Sequence, residues 1–149
     1  MFRESYPKLA PDAYRTLIQL TKLMHESSLE RGLVHLVYLR VSQLNGCAYC
    51  VDRHTYEALE DGEDAQRLHT LVVWRETAFF TPRERAALAW AEAMTTLPAA
   101  PPSDALHEAT RQAFSEKEFV DLTFAIATIN ALNRIGVGFK GEPARRTRV

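Results

Sequence analysis

The stretch LVHLVYLRVSQLNGCAYCVDRHTYEAL, residues 33–59, decides the fold. Leu33, Leu36, Val37, Val41 and Leu44 recur at spacings that fall on one face of a helix, and Asn45-Gly46 supplies the residue types that stop one. A second helix is expected to begin at once, running from Cys47 to about Glu60, because Asp61-Gly62 is the next stop signal. On that helix Cys47, Cys50 and His54 stand at i, i+3 and i+7 and share one face.

Outward from this segment the apolar residues keep helical spacing. Leu17, Leu20, Leu23 and Met24 mark an earlier helix after Pro11, and a short helix is expected through Leu68, Leu71 and Val72. Thr81-Pro82-Arg83-Glu84 is a start signal in which the Thr hydroxyl caps, Pro fits the first helical position and Glu84 reaches back to the cap amide. Ala87, Leu88, Trp90, Ala91 and Met94 then form a buried face. The Pro-rich connector Leu97 to Pro102 breaks that helix, and Ser103 caps the next. Ser115 and Glu118 repeat the capping-box spacing and open a helix, Phe119 to about Val137, that is apolar nearly all round. Such a helix is expected at the centre of the domain, with subunit contacts covering part of it. No stretch alternates as a half-buried strand does. The expectation is an all-α helical bundle, one domain with its core at about 11–140 and a basic, flexible tail at 141–149, assembled as an oligomer.

At 149 residues, 46% hydrophobic and 25% charged, the chain can bury a core without staples. A formal charge of -1 offers no field for nucleic acid or anionic lipid, so neither is expected as a partner. The opening MFRESYPKLAPD lacks the apolar run of a signal peptide, no later segment has the roughly 18 uncharged residues of a membrane span, and a cytoplasmic location is expected. Two cysteines three positions apart argue for a reactive or metal-binding pair rather than a structural framework.

At the start of a helix, free backbone amides and the positive end of the dipole lower a cysteine pKa from its usual value of about 8.5. His54, one turn on, can stabilise a thiolate as a cation or pass a proton as a base. Attack of a thiolate on a peroxide O–O bond would give a sulfenic acid, which the second cysteine resolves to a disulfide that an external reductant must reopen. A zinc site is not expected, since no second CxxC or HxxxH accompanies the first, and covalent haem attachment is excluded because Val51 follows Cys50.

The run at residues 33–59 resembles the core of the alkylhydroperoxidase D-like proteins, within the carboxymuconolactone decarboxylase-like superfamily. WRETAFFTPRERAALAWAEAMT, residues 74–95, and TFAIATINALNRIG, residues 123–136, resemble the helices that follow in that family, so the likeness spans most of the chain. It implies an all-helical subunit in trimers or hexamers, a thiol or disulfide reductant protein as partner, a small peroxide as substrate and no cofactor beyond the cysteine pair. It also implies that Cys50 forms the sulfenic acid, that Cys47 is proton donor and disulfide partner to Cys50, and that His54 is the relay histidine. Well-known members carry a Glu twelve positions before the first cysteine, where this chain has His35. His35 is therefore expected to join a His-His relay, without a carboxylate to hold His54 protonated.

Tyr49, between the cysteines, has a phenol able to bond a peroxide or to serve packing, and Ser42 shares a helix face with His35 and is expected to orient it. Asn130 and Asn133 either join the site or tie helices together, and Trp74 and Trp90 either line a substrate channel or fill the core. His25, His69 and His107 fit no common spacing and are expected to be solvated or capping. Three functions stay open at this point: a peroxidase, a decarboxylase or isomerase of lactone acids using histidine without thiols, and an oligomeric redox sensor.

Overall fold

In the computed structural model, which describes residues 6–146, eight α-helices and one 3-10 segment account for all the regular structure, and no strand occurs among the described residues. The helices are α1 (Tyr6–Leu9), α2 (Pro11–His25), α3 (Arg31–Asn45), α4 (Ala48–Glu60), α5 (Ala65–Thr70), α6 (Pro82–Thr95), α7 (Asp104–Ala113) and α8 (Glu116–Gly138), with the 3-10 segment Leu71–Glu76 after α5. The expected capping boxes form at both sites: Thr81 with Glu84 opens α6, and Ser115 with Glu118 opens α8. The short helix expected through Leu71 and Val72 instead tightens into the 3-10 segment after Thr70, with non-helical backbone at Val73.

The central helix is α3, not α8. Val34, Leu36, Val37, Tyr38 and Val41 of α3 are fully enclosed because α4, α6 and α8 pack around it. Full burial of one such leucine contributes roughly 1.5–3 kcal/mol. By contrast α8 leaves Val120, Phe124 and Val137 about half exposed, so its outer face lies open in the single chain. Two apolar clusters flank α3. One joins it to α6 and α8 and includes Trp90; the other joins it to α4, the 3-10 segment and α6 and includes Trp74. Both tryptophans belong to the core, and their indole N–H groups donate to Thr123 and Glu92 respectively.

The turn between α3 and α4 delivers the cysteines. Gly46 adopts φ 66°, a left-handed conformation that glycine takes at little cost, and the Cys47 amide donates to the Ser42 carbonyl at 3.1 Å to close the helix end. The C-terminal segment is not free as far as it is described: the Gly141 amide donates to the Gly136 carbonyl at 2.8 Å, and Arg146 pairs with Asp52 and lies over the Tyr56 ring. The rest of the expected flexible tail, residues 147–149, lies outside the described residues.

Candidate active site

The helix carrying the site starts at Ala48, so Cys47 is its N-cap, and its sulfur accepts the Cys50 amide at 3.3 Å. Sulfur thus occupies the position where a capping oxygen usually meets free helix amides, the most electropositive point of α4. The Cys47 and Cys50 sulfurs are bonded to each other, with Cα atoms 5.3 Å apart. Both cysteines are buried, at 1% and 5% exposure, but only Cys50 lines the adjoining cavity of about 430 Å³.

Two faces make up this cavity. Tyr6, Tyr14, Ile18, Leu132 and Ile135 form an apolar side from α1, α2 and α8, while His25, His35, His54, Arg53 and Glu57 form a polar one. Tyr49 also lines the cavity, and its phenol oxygen accepts from Arg53 at 3.3 Å. Behind the sulfurs stands Gly136 of α8. A Cβ at that position would lie 2.8 Å from the Cys47 sulfur and 3.5 Å from the Cys50 sulfur, so absence of a side chain there makes room for the pair. Gly136→Ala is expected to displace the Cys47 sulfur, slow closure of the disulfide and lower stability by about 1–2 kcal/mol, overpacking outweighing the helix-propensity gain. Thermal melting and the rate of disulfide formation in the variant check both effects.

His54 Nδ1 lies 3.1 Å from a carboxylate oxygen of Glu57. Burial pushes Glu57 up, but the hydrogen bond from His54 and the Arg53 charge outweigh it, and its carboxyl sits below the ordinary value. An ionised carboxylate only accepts, so Nδ1 carries the proton and Nε2 is left for chemistry. The missing carboxylate partner of His54 is therefore supplied by Glu57, three residues along the same helix. That i, i+3 spacing was legible in the sequence.

His35 is 2% exposed, and its Nε2 lies 2.6 Å from Asp61, which Arg31 also contacts. The bond from His35, helped by Arg31, holds the Asp61 carboxyl below the usual range. His25, expected to be solvated or capping, instead packs against His35 with ring centroids 4.8 Å apart. Burial, followed by the nearby His35 and Arg31 charges, lowers its pKa to about 4, so it is neutral near pH 7. It comes from α2, outside the cysteine segment, and no local spacing could have found it. Ser42 does not orient His35 and does not line the cavity; its hydroxyl accepts from Asn133 at 3.0 Å. Asn133 and Asn130 both accept from Asn45, and Asn130 donates to Thr95 at 3.1 Å. These amides tie α3 to α8 and α8 to α6. His69 and His107 are both exposed, and the His107 ring meets Trp90 edge-on and Phe119 at a tilt.

The sequence profile of the carboxymuconolactone decarboxylase family matches residues 11–93. The chain belongs to this family. Across the family the chain is 37% identical to the uncharacterized protein YdfG of Bacillus subtilis, over 97% of this chain and 98% of that one. A solved structure from Agrobacterium tumefaciens, a protein of unknown function suggested to be the antioxidant defence protein AhpD, is 39% identical and superposes with a TM-score of 0.93, covering 97% of this chain and 99% of its own. A peroxidase-related protein of the alkylhydroperoxidase AhpD core from Ralstonia eutropha JMP134, 21% identical with a TM-score of 0.81 over 93% of this chain and 74% of its own, shares the fold. The chain is AhpD-like in fold and family, and no helix among its described residues is long and apolar enough to cross a membrane.

Proposed function

We propose that this protein is a thiol peroxidase that reduces organic hydroperoxides or hydrogen peroxide through a Cys50–Cys47 dithiol/disulfide cycle. The observation that carries the reading is the asymmetry of the pair: Cys50 stands in the wall of a cavity it shares with His54, while Cys47 lies behind it, bonded to it and capping the same helix. The Cys50 thiolate attacks the terminal peroxide oxygen and the O–O bond breaks. His54 gives the departing alkoxide a proton, leaving an alcohol and a Cys50 sulfenic acid. The Cys47 sulfur then attacks the Cys50 sulfur, the S–S bond forms and water departs with the Cys47 proton. A dithiol reductant returns two electrons and two protons. The apolar side of the cavity suits the organic tail of a hydroperoxide.

This cycle suits the cytoplasm, where dithiol reductants reopen such bonds. The exposed apolar face of α8 suits burial in a homo-oligomer, a trimer or hexamer. Stopped-flow mixing of the fully reduced protein with cumene hydroperoxide should consume one equivalent per chain and form one intramolecular disulfide, far faster than free cysteine reacts. A rate no greater than that of free cysteine would overturn the proposal in favour of a redox sensor or a lyase.

A further inference from the structure

The cavity beside Cys50 does not end at its apolar wall. A second hollow of about 240 Å³ adjoins it, and Tyr6, Tyr14 and Ile135 line both. Those three side chains mark the neck between the two. Beyond the neck, Leu9, Ala13, Leu17 and Phe139 help to enclose the hollow, and no charged or amide side chain lines it. The charged groups Lys22, Arg31, Arg53 and Glu57 all line the Cys50 side. Tyr6 is held at the neck by two rings, stacked on Phe139 with centroids 5.0 Å apart and edge-on to Tyr14 at 5.7 Å. Burial, followed by the Tyr14 and Tyr49 phenols, raises the Tyr6 pKa, so this phenol is neutral near pH 7.

The order of these contacts along α2 gives the hollow a direction. Ile18, Thr21 and His25 line the Cys50 cavity, whereas Leu17, Ala13 and the N-cap Ala10 line the hollow. Spacings of three and four residues keep each row on one side of the helix. From Leu17 back to Ala10 the helix axis covers about 10 Å, so the hollow extends away from the sulfur as a track and not as a wider mouth.

We infer that the hollow is a tail subsite and that the preferred substrate is an unbranched aliphatic hydroperoxide, its hydroperoxide group at Cys50 and its chain threaded between Tyr6, Tyr14 and Ile135 toward Phe139. The inference rests on the peroxidase reading and deepens it. A neck leading into an extended, uncharged hollow admits a linear chain and turns away a compact, branched one. Each methylene moved from water into the hollow adds to binding. The tail lies far from the O–O bond, so its contacts are the same before and during the reaction and appear in KM, not in kcat. Leu9 is 70% and Phe139 39% exposed, and a bound tail covers apolar surface that water otherwise meets.

Turnover of n-butyl, n-hexyl, n-octyl and n-decyl hydroperoxides, with dithiothreitol as reductant, should show kcat/KM rising roughly two- to fourfold per methylene, through KM. Ala13→Trp fills the hollow from an exposed position on α2 and should lower the decyl-to-butyl ratio of kcat/KM about tenfold or more. Calorimetry on the disulfide form, which needs no turnover, should show 1-octanol binding more tightly than 1-butanol, with the difference lost in Ala13→Trp. KM values flat across the series, or a ratio that Ala13→Trp leaves unchanged, overturn the subsite. A hollow covered by a second copy of the chain would bind neither alcohol and give those same flat values, and so overturns it too. Wild-type protein inert to every hydroperoxide yet still selecting 1-octanol would instead overturn the peroxidase reading and leave the subsite standing.

Discussion

Cys50→Ser should abolish hydroperoxide turnover, by a factor on the order of 10³ or more. The reaction needs an anion at that position, and a serine hydroxyl, far less acidic than a thiol, is not ionised near pH 7 even beside a helix N-terminus and His54. Serine nearly matches cysteine in size, so the buried pocket keeps its shape and the loss is chemical. Cys47→Ser should behave differently. The thiolate at Cys50 survives, attack proceeds once, and the sulfenic acid accumulates because nothing resolves it. Mass spectrometry after a single addition of hydroperoxide should show one added oxygen on Cys50 in that variant and none in Cys50→Ser. Full activity in Cys50→Ser would remove thiol chemistry from this protein and leave the cavity histidines as the basis of a lyase.

The second large effect is on stability. Asn133 is fully buried, accepts from Asn45 at 2.9 Å and donates to Ser42 at 3.0 Å. Asn133→Ala leaves the Ser42 hydroxyl without its donor, deprives Asn45 of one acceptor and opens a small void between α3 and α8. Unpaired buried groups of this kind together cost about 3 kcal/mol, a fall of roughly 6–12 °C in melting temperature for a chain of this length. The consequence reaches the sulfurs. Asn45 precedes Gly46 and Cys47, so loosening it frees the turn that seats the cap. In the reduced variant Cys47, 1% exposed in the native protein, should be alkylated by iodoacetamide under conditions that spare it in the wild type. Asn130→Ala should be milder, because Asn130 is only partly buried. A melting temperature unchanged in Asn133→Ala would show that the amide network contributes nothing to holding α3 on α8.

The sequence by itself determined the helical class and most of the element boundaries, because those signals are local. Thr81 with Glu84 and Ser115 with Glu118 are read within four residues, Asn45-Gly46 within two, and each formed as expected. It also brought Cys50 and His54 together, since one helix face fixes their geometry, and put Cys47 at the start of the same helix. Glu57 obeyed the same rule and could have been read. Only the tertiary structure decided which cysteine faces the cavity, which helix is central, and what surrounds the imidazoles. His25 reaches His35 from α2, Asp61 lies beyond the end of α4, and Gly136 meets the sulfurs from α8. Contacts between distant segments leave no periodic trace in the chain, because they are set by how helices pack around α3 and not by the spacing of residues along any one of them.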